Sequence, residues 1–191
     1  MAAGSASTGA PDVLPPRRQN KRTVGRPRGS NTDARREMIL AAAVRVFAHR
    51  GYDAATLQDV ADLVGVTRPA VHHHFPGKAP LYRAALDRAC EIVTTAMAAQ
   101  PLEAMIAPPQ GQLRVACALL GTSLAQSHRI ADVAPRITTV SADVRLLCTR
   151  AACPDGDEHR VDLLVNLIVG SWVMAACDLT WPDIVTDFDL C

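Results

Sequence analysis

The chain has 191 residues, enough for one large domain or two small ones with a sizeable core and no need of disulfide staples. Apolar residues make up 49% and aromatic ones only 4%, and no stretch alternates polar with apolar, so the composition predicts an all-α protein and argues against a sheet. The net charge of +1 hides a division, +6 over residues 1–36 and −5 over the remainder, which suggests that one basic end of the molecule meets a polyanion.

Residues 1–30 are rich in Ala, Gly, Ser, Pro and Arg and hold too little apolar surface to offset the entropy of ordering, so they are expected to form a disordered basic arm. The first 20 residues contain no apolar run ahead of a small-residue cleavage site, and a cytoplasmic protein is expected. From Thr32 the pattern becomes helical. Ile39, Ala42, Ala43, Val46 and Phe47 mark one apolar face, Thr32 or Asp33 can cap the start, and Gly51 after His49 and Arg50 is a stop signal. A second helix is predicted at Leu57–Val64, with Thr56 and Asp59 forming a capping box and Gly65 ending it. Thr67 can cap a third, Arg68–His74, which tolerates Pro69 in its first turn. Small Ala61 at the crossing, Gly65 for a left-handed turn and Val71 packing back give these two helices the steric signature of a helix-turn-helix.

A fourth helix is predicted from Lys78 to Ala99, and further ones at 110–128, 136–151 and 158–179; the closing "TWPDIVTDFDLC" breaks at Pro182. The domains implied are the arm, 1–30, a helix-turn-helix domain, 31–77, and a C-terminal helical bundle, 78–191. The most apolar stretch, Leu163–Cys177, is 15 residues long and contains Asn166, whereas a membrane span needs about 20. It reads as a buried helix or a subunit interface, in which small Gly170, Ser171, Ala175 and Ala176 let backbones approach; burial within one subunit is the alternative. Six scattered cysteines without a C-x-x-C read as reduced core residues, with a Cys148/Cys153 redox pair as the alternative.

The triplet His72, His73, His74 invites a metal reading, but successive residues of a helix point about 100° apart, so the three cannot share an ion. No metal and no cofactor are expected. No nucleophile motif and no phosphate-cradling glycine loop stands out, which speaks against an enzyme. The same helical geometry turns Val71 and Phe75 inward and leaves Arg68, Pro69, His72 and His73 outward, on the surface a recognition helix lays into the major groove. Arg68 is the candidate base reader, since a guanidinium spans guanine O6 and N7.

The run from Arg35 to about Arg88 resembles the DNA-binding region of the TetR (tetracycline repressor-like) family, in "F-x-x-x-G-Y" at Phe47–Tyr52, "TLQDVA", "GVT" and the closing "H-F-x-x-K". The resemblance implies that Thr56, Thr67 and Lys78 contact DNA phosphates from helix N-termini. The family usually carries a tyrosine where this chain has His72, whose charge depends on pH. In the arm, "VGRPRG" is similar to the core of an AT-hook, with Arg26 and Arg28 entering the minor groove; a generic basic tail making phosphate contacts is the equal alternative.

The function expected is a homodimeric repressor that binds a two-fold operator in double-stranded DNA and is released by an unidentified small-molecule effector. Met97, Cys117, Leu120 and Trp172 are the candidates for lining an apolar pocket, against plain core packing. An architectural DNA-binding dimer without effector is the alternative, because the C-terminal part is short for the family and lacks the full last helix that usually completes its dimer interface.

Overall fold

A computed structural model describes Met1 and residues 28–131, 133–152 and 157–179, and every regular element among them is helical. The helices are α1 (Arg28–Ala54), α2 (Leu57–Val64), α3 (Arg68–His74), α4 (Lys78–Ala98), α5 (Leu102–Ile106), α6 (Gly111–Gln126), α7 (Val133–Ala152) and α8 (Glu158–Ala176). The expectations for the arm up to residue 27, for Cys153 and Cys191, and for the segment 180–191 lie outside the described residues.

The first helix departs from expectation at both ends. It already runs through Thr32 and Asp33, which therefore sit inside it and do not cap it, and it resumes for a last turn after a break at Gly51 (φ 70°, ψ 175°). Its predicted face is buried as drawn: Ile39, Ala42, Ala43, Val46 and Phe47 are all buried. The fourth helix buries Leu81, Ala85 and Ala89 together with Tyr82, Leu86, Val93 and Met97, a stripe wide enough for two neighbours.

In the C-terminal part, α7 begins at Val133 because Pro135 falls in its first turn, where no backbone donor is needed, and so does not delay the helix to 136. Helix α5, too short for its periodicity to show in the sequence, occupies a short span between Pro101 and Pro108. The bundle is centred on α6, which packs against α8, α1 and α4. Gly121 makes the α6–α8 crossing possible, for a Cβ there would collide with the backbone carbonyl of Trp172. Beside it lies the buried polar Ser123, whose hydroxyl bonds the Leu119 carbonyl at 2.6 Å and shares a 2.8 Å hydrogen bond with Tyr82. Tyr82 in turn touches Phe47 (ring centroids 4.9 Å) and Tyr52 (4.8 Å). This aromatic cluster welds α1 to α4 and, through Ser123, to α6. No described helix is long and apolar enough to cross a membrane.

Candidate nucleic-acid interface and ligand pocket

The helix-turn-helix is built from the elements the sequence predicts, α2 and α3. Thr56 caps α2: its oxygen accepts the Asp59 amide at 3.1 Å, and the Asp59 carboxylate accepts both the Thr56 amide and the Thr56 hydroxyl at 2.8 Å. The hydrogen bond from the Thr56 side chain, aided by its backbone amide and by Arg50, holds the Asp59 carboxyl below its ordinary value against the opposing effect of burial. Arg50 pairs with the same carboxylate at 3.0 Å and so ties α1 to α2. Gly65 closes α2 in the left-handed conformation (φ 72°), and its turn lets the Val66 amide reach the Ala61 carbonyl at 2.9 Å. Ala61 and Val71 are both fully buried in the angle between α2 and α3.

This turn presents α3 as the geometry requires. Thr67, Arg68, Pro69, His72 and His73 are exposed, while Val71 and Phe75 are buried. His74 is half-buried, with its ring edge-on to His73 at 5.4 Å, so the triplet marks the border between an outer face and the core. Among the described residues no three His, Cys, Asp or Glu side chains converge on a possible metal position. Thr67 stands at the N-cap of α3 but its side chain makes no capping bond, a correction to the expected cap. Its hydroxyl remains exposed. The hydroxyl of Thr56 is occupied by Asp59 in both directions, which leaves the α2 backbone amides as the anion-facing groups at that end.

Lys78 opens α4 and is held in place, not loose: its ammonium donates to the Asp53 carbonyl at 2.9 Å and lies 4.6 Å from the Tyr52 ring centre. Arg36 stacks over Phe75 at 4.8 Å, a cation at the foot of α3 that the sequence alone did not single out. Arg26 lies outside the described residues, as does the side chain of Arg28; the backbone of Arg28 is already helical.

In the bundle, Met97, Cys117 and Trp172 line one cavity of about 270 Å³, together with residues of α5 and of the Pro-Pro segment after it. Leu120, the fourth candidate, is fully buried in the core and does not line this cavity. The wall also includes Gln100, Met105, Gln110 and Ser171, which escaped notice because the stretch around Pro101 and Pro108 reads as a mere connection. Burial pushes the Cys117 thiol up to about 12, so it stays uncharged at neutral pH. Two larger clefts, of about 400 and 640 Å³, lie where α1 meets α6, and both include Arg45.

The outer side of α8 differs from the one drawn from small residues. Ala175 is buried within the subunit and Ser171 borders the cavity, whereas Leu163, Leu167 and Val173 are 55, 40 and 42% exposed, and Leu146 of α7 is 49% exposed. Gly170 sits on that face with open space before it.

Comparison with known proteins matches residues 39–85 to a family model described as bacterial regulatory proteins, tetR family. The transcriptional activator FasR of Mycolicibacterium smegmatis is 44% identical over 75 residues, 38% of this chain and 34% of that protein. The transcriptional repressor AcnR of Corynebacterium diphtheriae is 36% identical over 87 residues, 42% of this chain and 46% of that protein. The chain thus matches less than half the length of either relative. A transcriptional regulator from Saccharomonospora viridis, solved in complex with choline, shares the fold with a TM-score of 0.58 at 21% identity, over 74% of this chain and 85% of that one.

Proposed function

The chain belongs to the TetR family by its residues 39–85, and from that premise we propose that it is a homodimeric transcription regulator, a repressor that leaves its operator when a small molecule enters the bundle. The observation that carries the DNA-binding half is the exposed row Thr67, Arg68, Pro69, His72 and His73 on a short helix whose other face is anchored by fully buried Val71. Arg68 reads a guanine in the major groove, while Thr67, Lys78 and the first amides of α2 hold phosphates. The basic arm, with Arg26 and Arg28, adds contacts to the backbone or the adjacent minor groove.

One such unit covers little DNA, so two are needed on half-sites about 34 Å or a multiple apart. The exposed Leu146, Leu163, Leu167 and Val173 give α7 and α8 the apolar face that a second copy would cover. The cavity of about 270 Å³ favours an effector-responsive regulator over an architectural dimer, since a solid bundle would have nothing for an effector to occupy. Release follows if the effector prefers the conformation in which the two α3 helices no longer match the half-sites. The Tyr82 cluster supplies the mechanical link, because α4 borders the cavity at Met97 and meets α1 at Phe47.

Selection of bound fragments from random genomic DNA at fixed salt tests the reading. An enriched inverted repeat is expected; fragments bound without any shared sequence would favour the architectural alternative.

A further inference from the structure

Three of the seven residues of α3 are histidines, and two of their rings stand on the outer face of the helix. His72 lies one turn from Arg68 and His73 one turn from Pro69, and all four are exposed. His74 is half-buried, edge-on to His73 at 5.4 Å, and borders the core.

The cations of this region are Arg68 on the same face, Arg36 of α1 over the Phe75 ring at 4.8 Å, and Lys78 and Arg83 on α4. The acids of the neighbouring helices have other partners. On α2, Asp59 serves Thr56 and Arg50, and Asp62 accepts the Gln58 amide at 2.7 Å. On α1, Glu37 meets Arg36 at 3.6 Å and Asp53 lies 3.9 Å from Arg129. The sequence from Leu63 to Leu86 holds neither Asp nor Glu.

An imidazole titrates near neutral pH, and its charged form is favoured by a neighbouring anion and opposed by a neighbouring cation. The surroundings of these two rings therefore change sign when α3 meets DNA, from a cationic protein face to a row of phosphates. We propose that His72 and His73 grip DNA phosphates as imidazolium ions, each taking a proton from solvent as the complex forms, so that affinity for DNA is set by pH. A neutral ring offers one N–H and no charge; the imidazolium offers two and displaces a counterion. The inference rests on the DNA-binding reading of α3.

The test titrates the full chain against the duplex enriched from genomic fragments, over a range of salt, at about pH 6 and about pH 8, which bracket imidazole protonation. The wild type should bind at least about fivefold more tightly at the lower pH, since linkage allows up to about tenfold per pH unit for each proton taken up. Its logarithmic salt slope should also be steeper there, by about 0.9 for each imidazolium that meets a phosphate. His72→Gln combined with His73→Gln keeps a hydrogen-bond donor at each position without a titrating ring. That variant should match the wild type to within about threefold at the higher pH and lose both effects, with circular dichroism unchanged. His49→Gln, at an exposed position on α1, should keep both. The absence of either effect in the wild type overturns the proposal, as does pH dependence that survives the double substitution or disappears in His49→Gln. Binding without pH dependence leaves the DNA-binding reading standing, whereas no binding at either pH overturns both.

Discussion

Asp59 serves two helices at once: it closes the α2 capping box with Thr56 and receives Arg50 from α1. Asp59→Ala is expected to lower stability by about 1 kcal/mol, the usual size of a lost cap, measured by chemical denaturation. The sign of its pH dependence follows from the lowered carboxyl: the contribution is full above the ordinary carboxylate value and is lost as pH falls through the lower folded one. Asp59→Asn should therefore flatten the acid limb of the stability profile. Much at this scale was legible in the sequence, because T-x-x-D, a terminal glycine and a helical alternation of outward and inward residues act over a few neighbours. What was not legible at this scale depends on the tertiary fold. Thr67 makes no side-chain cap although it has the right type, and Lys78 is engaged by Asp53 and Tyr52, partners that only the tertiary fold brings to it.

At the scale of elements, the crossing of α6 and α8 depends on a residue the sequence did not mark. Gly121 looks like a weak point in a helix, and its meaning appears only when Trp172 is seen across it. Gly121→Ala should stabilise an isolated helix yet destabilise this protein by about 1–3 kcal/mol, because the two backbones must separate; an unchanged denaturation midpoint would contradict that. The same reasoning explains the cavity. Met97, Cys117 and Trp172 could be guessed as wall residues from their apolar size, but Gln100, Gln110 and Ser171 depend on how α5 and the Pro-Pro segment fold over them. Proline spacing misled in two ways, hiding α5 and delaying α7, since a proline inside a first turn carries no cost that would stop a helix.

For the whole molecule, the all-helical fold and its division into a helix-turn-helix and a bundle were readable from periodicity and caps, whereas the side of α8 that its own subunit covers was not. Small residues on α8 suggested close backbone approach, yet Ala175 packs inward and the exposed large groups are Leu163, Leu167 and Val173. The pattern of a helix apolar all round does not say which side its own subunit covers. Replacing Leu163 and Leu167 together with glutamate should yield a monomer by sedimentation, with operator affinity reduced at least about tenfold, while circular dichroism stays unchanged. A dimer that persists would move the interface elsewhere.

In the proposed function the outer face of α3 reads DNA sequence and does not merely attract phosphate. Equilibrium binding of the wild type and Arg68→Ala to the selected operator and to a scrambled duplex, at one salt concentration, addresses it directly. A loss of about 1–3 kcal/mol is expected on the operator, with affinity for the scrambled duplex nearly unchanged. An equal loss on both duplexes, or none on either, would contradict it.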